Sequence, residues 1–442
     1  MRVLRQSTIA FGLLVAVARS GGAQPPPPEP AEPTPPLPEA PPAEKDQAKK
    51  YETTPPQALE GEPSKPGTLM EVYGFVMTDA GFDFGKIGNP DWQDVLRPTK
   101  LPAFENEFGR GPRTFLGVRQ TRFGVKTTTP TECYGDFKTT FEFELFGVGV
   151  DEGQTTFRLR HAYGDWKSLR AGQTWSPFMD IDVFPNTIEY WGPPGMAFFR
   201  NVQVAWMPIQ GDSRVTVALE RPGATADTSS VEGRVELEDV IPRFPAPDLS
   251  AEARYGGEWG YVELAGILRW IKWDDINPAA PQLGGDAFGW GLNLSTNLKF
   301  GPATLKAALV GGQAIENYMN DGSADIGVVR KNVVDRPFDG ESLGVVGGTF
   351  FLDVTWNKFF TSSAGYSFIW IDNSSGQAAD AFHLGQYALA NLLFHPGEDL
   401  MFGAEFQYGR RSNNADDFEA NDFRIQFSFR FSYGKKFGQV RK

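Results

Sequence analysis

The stretch FRIQFSFRFSY, Phe423 to Tyr433, alternates apolar and polar side chains without interruption. This two-residue period predicts a β-strand with one apolar face and one polar face. Its eleven residues, if tilted, match the hydrocarbon thickness of a bilayer. Strands cross a membrane only as a closed barrel, because no backbone group is then left unpaired in lipid. The stretch therefore predicts the last strand of a transmembrane β-barrel.

The two faces of this strand can be assigned from the cost of placing arginine in lipid. The reverse orientation would expose Arg424 and Arg430 to lipid, at roughly 2–4 kcal/mol each near the bilayer midplane. It would also leave five Phe and Ile side chains in water. We therefore expect the aromatic face to contact lipid and the arginine face to line a water-filled lumen.

The composition of the whole chain is compatible with a barrel but does not require one. With 442 residues, 40% of them hydrophobic, the chain could form one large barrel or two or three soluble domains. A mean hydropathy of −0.33 is too low for membrane-spanning helices. The net charge of −13 argues against nucleic acid as a partner. The single cysteine, Cys133, excludes an intrachain disulfide and is interpreted as an incidental thiol in a turn.

Two segments are expected to precede the barrel. Residues 1–23 have the layout of a secretory signal peptide, with early positive charges at Arg2 and Arg5 and an apolar stretch from Ile9 to Ala18. Residues 24–66 are rich in Pro, Glu, Ala and Lys, a composition that cannot bury a core. We interpret them as a disordered, polyproline-like spacer in the periplasm.

Alternating segments recur from residue 67 to residue 434 and predict sixteen antiparallel strands, followed by a short tail, 435–442. The strands are expected to start near residues 70, 112, 134, 154, 168, 199, 213, 249, 260, 287, 302, 342, 358, 382, 398 and 421. Long and short connections alternate between them, as in outer-membrane barrels with short periplasmic turns and long external loops. A secreted β-sandwich, the main alternative, has no reason to sort its connections in this way.

Basic residues dominate the positions that this alternation assigns to the lumen. We expect six arginines to line the pore: Arg122, Arg158, Arg160, Arg170, Arg200 and Arg269. Low-dielectric walls focus the field in a narrow aqueous pore, so cationic side chains there favour anions. The alternative is that these arginines only pair with Glu142, Glu144 and similar residues, and so solvate the wall. A single β-bulge would also reverse the assignment within a strand.

The third long connection, Ser176 to Phe199, is unusually apolar for a loop and contains four prolines. Exposed loops are seldom so apolar, so we expect it to fold into the barrel and narrow the pore. Asp180, Asp182 or Glu189 would then face the basic wall, and Tyr190 belongs to the same constriction loop. The alternative is that the loop packs on a neighbouring subunit or on the barrel rim.

Several motifs resemble those of one known family. They are RFGVK (Arg122 to Lys126), FRLRHAYG (Phe157 to Gly164), LRAGQTWS (Leu169 to Ser176), NLLFHP (Asn391 to Pro396) and GAEFQYG (Gly403 to Gly409). With these motifs in order, the chain resembles Gram-negative porins of the DcaP-like group over about residues 70–433.

The resemblance implies a sixteen-stranded porin that is embedded in outer-membrane lipid and is typically a homotrimer. Its third loop would constrict a channel for small anionic solutes such as dicarboxylates. By motif, Arg158, Arg160 and Arg170 would lie on the pore wall, and Asp180 and Asp182 on the constriction loop.

Both ends of the sequence depart from this group. Its members often have an N-terminal coiled coil, whereas this chain has the Pro-rich segment, so we do not expect a helix to staple a trimer. Porins also usually end on an aromatic residue, whereas this sequence continues past Tyr433 with GKKFGQVRK. The resemblance therefore concerns the barrel rather than its ends.

Two other functions are compatible with the sequence. The barrel could be a structural anchor, since a polyproline-like spacer of 43 residues spans up to roughly 130 Å toward the cell wall. It could also be an enzyme, but only His161, His383 and His395 offer imidazole bases, and the alternation assigns His161 to the lipid face. No catalytic grouping, metal-ligand spacing or phosphate loop stands out, so we expect no enzymatic activity, cofactor or metal.

Overall fold

The computed structural model describes residues 67–438, apart from 87, 132, 233, 235–236, 278–282 and 335. The expected signal peptide and Pro-rich spacer lie outside the described residues. The anchoring hypothesis depends on that spacer and therefore stays a prediction. Over the described ranges, no helix is both long enough and apolar enough to cross a membrane.

Sixteen antiparallel strands form a closed barrel, as the sequence predicted. They are β1 (Leu69–Asp83), β2 (Arg122–Thr129), β3 (Phe137–Phe146), β4 (Thr155–Trp166), β5 (Leu169–Trp175), β6 (Arg200–Ile209), β7 (Arg214–Glu220), β8 (Asp248–Gly257), β9 (Gly260–Asp275), β10 (Gly285–Phe300), β11 (Ala303–Gln313), β12 (Gly344–Thr355), β13 (Phe360–Asp372), β14 (Phe382–Gly397), β15 (Leu400–Asn413) and β16 (Glu419–Phe437). Each strand pairs with its neighbours in the sequence, and β16 pairs with β1 to close the barrel.

The last strand has the two faces that its alternation predicted. Phe427 is 52% exposed on the outer surface, whereas Arg424 on the opposite face is 1% exposed. Phe423, Phe429 and Phe431 share the exposed face. Since the outside of a transmembrane barrel contacts lipid, the aromatic side chains face the membrane and the arginine faces the interior.

Connections of two kinds alternate around the barrel. Eight loops join the strands at one end: loop 1 (84–121), loop 2 (147–154), loop 3 (176–199), loop 4 (221–247), loop 5 (276–284), loop 6 (314–343), loop 7 (373–381) and loop 8 (414–418). At the other end, six of the seven turns have two to four residues. One is Gly301-Pro302, where Gly301 has φ +61°, a left-handed conformation that favours glycine.

The loops carry short elements of their own. Ala226–Asp227, Ile326–Arg330 and Phe338–Ser342 form a small three-stranded sheet from loops 4 and 6. Val240–Arg243 pairs with the end of β9, and Arg113–Gly117 with the end of β1. The short 3-10 helices among the described residues include Pro90–Trp92, Pro98–Lys100, Gly149–Asp151, Ile181–Val183, Ser229–Val231 and Glu316–Tyr318. Loops 4 and 6 are therefore joined to each other by backbone pairing.

The second strand starts close to the predicted residue 112, but it differs from the prediction because it is interrupted. Arg113–Gly117 pairs with the end of β1, the pairing then breaks, and it resumes at Arg122, where β2 begins. In the interruption, the Arg119 guanidinium turns inward and forms an ion pair with Asp94 of loop 1. The backbone around Arg119 leaves the regular strand pairing so that the side chain can reach Asp94. The alternation of apolar and polar residues gives no sign of this interruption.

The end of the last strand also differs from the prediction. Residues 435–442 were expected to form a tail, but β16 extends to Phe437. Lys435 and Phe437 continue the ladder opposite Val72 and Met70 of β1. The barrel strand is therefore three residues longer than expected.

A β-bulge in β4 reverses the alternation that the sequence suggested. Glu142 of β3 pairs with His161, but the next residue, Phe143, pairs with Leu159, so Arg160 is the extra residue. Arg160 and His161 are consecutive and yet only 5% and 8% exposed. The prediction that His161 faces lipid is wrong, because the bulge turns both side chains inward.

Candidate constriction site

Loop 3 lies inside the barrel, against the inner faces of many strands. Its wall partners are Glu220 (β7), Arg254 (β8), Tyr261 (β9), Asn293 and Ser295 (β10), Lys306 (β11), Asp353 (β12), Thr361 (β13), Asn391 (β14), Glu405 (β15), Gln426 (β16) and Glu144 (β3). Its apolar side chains also find an interior environment, because Phe178 is fully buried against Ile267 of β9 and Val310 of β11. The loop therefore crosses the lumen rather than packing outside the wall.

The two aspartates at the start of loop 3 have different environments. Asp180 is buried; one carboxylate oxygen accepts from Arg254 at 2.7 Å, and the other from Tyr261 at 2.7 Å and Ser295 at 2.6 Å. Asp182 also binds Arg254, at 2.6 Å, but 46% of its side chain is exposed. Asp180 therefore fastens the loop to the wall, whereas Asp182 faces open space in the lumen.

Glu189 is buried in the same loop and has no basic partner among the described residues. One carboxylate oxygen accepts from the Gly192 backbone N–H, and Oε1 has no hydrogen-bond partner in the described part of the chain. Burial, with a smaller contribution from the nearby Glu405 carboxyl group, raises the pKa of Glu189 to about 8. Glu189 is therefore mostly neutral at pH 7.

Tyr190 connects loop 3 to the strands that carry the predicted arginines. Its hydroxyl donates to Glu144 of β3, and its ring stacks on Phe146 with the ring centroids 4.3 Å apart. Burial raises the pKa of the Tyr190 phenol, so it remains a hydrogen-bond donor.

Four of the six predicted arginines surround Glu142 and Glu144 on β3. Arg160 binds both carboxylates, at 2.7 Å and 2.5 Å. Arg158 and Arg200 lie 3.5 Å and 3.4 Å from Glu144. Arg122 lies 3.5 Å from Glu142. We call these four arginines and two glutamates the arginine cluster, and their formal charges, +4 and −2, sum to +2.

The two glutamates of the arginine cluster do not accept hydrogen bonds from all of its buried guanidinium N–H groups. Arg200 Nη1 is buried and has no hydrogen-bond partner among the described residues. The buried Arg122 Nε and Arg158 Nη1 make no hydrogen bond either, although each lies 3.5 Å from a glutamate oxygen. Arg122 and Arg160 line a cavity of about 450 Å³ inside the barrel. Arg158 and Arg200 line a second cavity, of about 280 Å³, on the side of loop 6.

Three aromatic side chains lie between these two cavities. Trp175, Tyr190 and Phe198 line both of them. Arg200 lies over the Trp175 ring, 5.1 Å from its centroid, and Arg160 lies 5.5 Å from it. The two cavities and the cluster therefore meet where loop 3 passes the basic wall.

The structure does not bring the other two predicted arginines to this place. Arg170 forms an ion pair with Asp165 at 2.7 Å and lines a separate cavity of about 330 Å³ near the short turns. Arg269 is fully buried, pairs with Asp248 at 3.0 Å and Asp325 at 2.9 Å, and so holds loop 6 to the wall. Arg269 therefore does not line an open cavity in this structure, contrary to the expectation.

Sequence reasoning missed Arg97 of loop 1. Its guanidinium lies between two indole rings, 4.4 Å from the Trp92 centroid and 4.2 Å from that of Trp191, and it binds Asp321 at 2.8 Å. These partners belong to loops 1, 3 and 6, which are far apart in the sequence. No local pattern marks such a residue, because its role depends on three loops that meet only in the folded barrel.

A comparison with family models agrees with an outer-membrane barrel. The model described as DcaP outer membrane protein matches residues 57–301, more than half of the chain. The chain belongs to the DcaP outer membrane protein family. The resemblance of the sequence motifs is thereby confirmed, and this DcaP-family barrel lies in the outer membrane.

Solved structures share the fold of this DcaP-family protein. The outer membrane channel DcaP of Acinetobacter baumannii is 21% identical with a TM-score of 0.69, over 84% of this chain and 99% of that chain. An anion-selective porin from Comamonas acidovorans is 10% identical with a TM-score of 0.52, over 83% and 100%. In-vitro folded OmpT of Vibrio cholerae is 12% identical with a TM-score of 0.50, over 85% and 100%. At these identities the likeness shows the fold alone.

Curated protein sequences contain no match to this DcaP-family chain. Within the described ranges, no group of three or more His, Cys, Asp and Glu side chains is arranged to hold a metal ion. The family and the barrel architecture identify a porin of the outer membrane.

Proposed function

We propose that this porin passes small hydrophilic solutes by passive diffusion and prefers anions such as carboxylates. The observation that carries the preference is the charge of the arginine cluster, in which four guanidinium groups share two carboxylates. An excess of positive charge in an aqueous passage with low-dielectric walls lowers the energy of an anion and raises that of a cation.

The alternative interpretation of the arginines, that they only solvate the wall, is less well supported by their contacts. If the arginines served only to neutralise Glu142 and Glu144, we would expect as many arginines as glutamates. We would also expect the guanidinium N–H groups to form hydrogen bonds to those two carboxylates. Instead, four guanidinium groups share two carboxylates, and Arg200 Nη1 is a buried N–H group without a partner in the described part of the protein. Such a donor is suited to a passing carboxylate, which accepts charge-assisted hydrogen bonds.

We propose that loop 3 forms the constriction of the channel. The loop holds Asp182 in the lumen with 46% of its side chain exposed, while the arginine cluster lies on another part of the wall. Opposite charges on two sides of a passage create a transverse field, which would orient a small polar solute. We also propose the homotrimer that the family resemblance implies, and the mass of the native complex in detergent tests it.

Reversal potentials in planar bilayers test the selectivity. Under a KCl gradient, we expect ohmic conductance and a reversal potential that indicates Cl⁻ moving more readily than K⁺. The preference should weaken at 1 M salt, where the Debye length is about 3 Å and the cluster is screened. A preference for K⁺ would contradict the proposed selectivity, and an absence of conductance would contradict the channel itself.

A further inference from the structure

The cavity of about 280 Å³ between loops 3 and 6 has polar groups of opposite character on its walls. It has room for roughly nine waters at about 30 Å³ each, and therefore for one small solute. Six of its lining residues carry polar atoms that have no hydrogen-bond partner among the described residues: Arg158, Arg200, Trp191, Glu316, Asn317 and Asn320.

The donors come from the barrel wall and loop 3. Arg200 Nη1 and Trp191 Nε1 are buried and have no hydrogen-bond partner within the described residues, and the buried Arg158 Nη1 makes no hydrogen bond although it lies 3.5 Å from a Glu144 oxygen. Only 6% of the Arg200 side chain is exposed. Buried N–H groups, especially charged ones, cost free energy unless an acceptor is present. These three groups are therefore suited to an anionic ligand group such as a carboxylate.

The acceptors all come from loop 6. Both carboxylate oxygens of Glu316 lack a partner in the described part of the chain, and the residue is only 1% exposed. Asn317 Oδ1 and Asn320 Oδ1 are also buried acceptors without a hydrogen-bond partner among the described residues. Burial raises the pKa of Glu316 well above its ordinary value, and the Asp325 carboxylate raises it further. A cationic N–H group bound beside Glu316 would favour the ionised form of this carboxyl group and would pair with it.

The walls of the cavity are held in place without a ligand. Asn320 donates to the carbonyls of Trp191 and Pro193 at 2.9 Å and 2.8 Å, and Met319 forms a β-bridge with Ala197. These contacts join loop 6 to loop 3 through two residues, Met319 and Asn320, that line the cavity. A cavity whose walls are already ordered loses little entropy when a solute binds.

We propose that this cavity is a binding site for a small zwitterionic solute. The carboxylate of the solute lies against Arg158 and Arg200, and its ammonium group lies against Glu316. A simple anion would satisfy only the arginine side and would leave Glu316 without a partner. The inference rests on the proposed function in one respect, since a solute reaches the site only if the barrel conducts.

Three probes of matched length test the proposal in single-channel recordings: 4-aminobutyrate, butyrate and butylammonium. For the wild-type protein, we expect 4-aminobutyrate to interrupt the current for about ten times longer than butyrate does. One charge-assisted hydrogen bond supplies a factor of this size. Butylammonium, which lacks the carboxylate, should give the shortest interruptions.

Substitutions then assign the effect to the cavity. In Glu316→Gln, the residence times of 4-aminobutyrate and butyrate should become equal, because the ammonium group loses its charged partner. Glu238→Gln changes an exposed acid outside the cavity and should keep the tenfold ratio. Glu316→Asp retains the charge at a shorter reach and should give an intermediate ratio.

Two results would overturn the proposal. Equal residence times for 4-aminobutyrate and butyrate in the wild type would mean that the cavity holds only water. An unchanged ratio in Glu316→Gln would place the recognition of the ammonium group elsewhere. Neither result bears on the proposed anion preference, because the KCl reversal potential measures that preference without any of the three probes.

Discussion

Asp180 of loop 3 and Arg254 of β8 form a buried ion pair, with Oδ1 and Nη2 2.7 Å apart. The Asp180 side chain is fully buried and the Arg254 side chain is 7% exposed. This pair fastens the first half of loop 3 to the wall, and the bonds from Asp180 to Tyr261 and Ser295 strengthen the attachment. The position of loop 3 therefore depends on contacts between the loop and the strands as well as on the loop sequence.

Asp180→Ala should loosen loop 3. Arg254 would retain Glu263 at 2.6 Å, so we expect a loss of about 1–3 kcal/mol rather than the full cost of an unpaired buried charge. The conductance should become larger and noisier, because the loop no longer holds one position. Thermal unfolding and single-channel recording measure the two effects. Glu258→Ala, in an exposed turn, is the control, and equal unfolding temperatures for the two variants would contradict the anchoring role.

Removing two positive charges from the arginine cluster should reduce anion preference. Arg122 and Arg158 have side chains that are 26% and 27% exposed, so they can be changed with less disturbance than the buried Arg160. In Arg122→Gln/Arg158→Gln the formal charge of the cluster falls from +2 to zero, and the Cl⁻/K⁺ permeability ratio should move toward one. The matched variant Arg122→Lys/Arg158→Lys retains the charge and should retain most of the ratio. If both variants select ions as the wild type does, the arginines only solvate the wall.

Glu144→Gln should shift the selectivity in the opposite direction. Its carboxylate contacts Arg158, Arg160 and Arg200 and accepts from Tyr190, so its loss raises the formal charge of the cluster to +3. We expect a higher Cl⁻/K⁺ ratio together with a stability loss of about 3–5 kcal/mol, since buried guanidinium groups lose their partner. Reversal potentials and denaturant unfolding give the two values. A lower ratio would show that Glu144 acts mainly by positioning the arginines.

Glu189 should make the protein sensitive to alkaline pH. Its folded pKa of about 8 lies above the ordinary value of 4.5, so folding suppresses ionisation of this carboxyl group. Its contribution to stability is therefore most favourable below about pH 4.5, falls as the unfolded chain ionises, and levels off above about pH 8. Above pH 8 a new negative charge in the lumen should also weaken anion preference.

The variant Glu189→Gln isolates this contribution. Unfolding temperature and Cl⁻/K⁺ ratio should be measured at pH 6 and pH 9 for the wild type and the variant. Between pH 6 and pH 9, the unfolding temperature and the Cl⁻/K⁺ ratio should both fall less in the variant than in the wild type. Parallel pH profiles for the two proteins would assign the effect to other groups.

Some properties of the barrel follow from short stretches of sequence. Strand count, the lipid face of β16 and the alternation of long and short connections were readable because each depends on residues adjacent in the chain. The apolar loop 3 was recognisable for the same reason, since an exposed loop of that composition would be unfavourable in water. Four of the six predicted arginines converge on one cluster because their strands, β2, β4 and β6, lie close together in the barrel.

Other properties depend on contacts between distant residues. The bulge that turns His161 inward arises from the pairing of β4 with β3, and alternation within β4 alone gives the opposite face. Arg269 is buried because loop 6 brings Asp325 to it, 56 residues away in the sequence. Arg97 acquires its place between two indoles only when loops 1, 3 and 6 meet.

The amino-acid pattern is enough to establish that this chain forms a barrel with a water-filled interior, because the two-residue period and the cost of placing arginine in lipid depend on neighbouring residues alone. Which charged groups remain unpaired in that interior is set by the folded barrel. Pairing depends on the distance between side chains on different strands and loops, and those distances exist only after the barrel has closed.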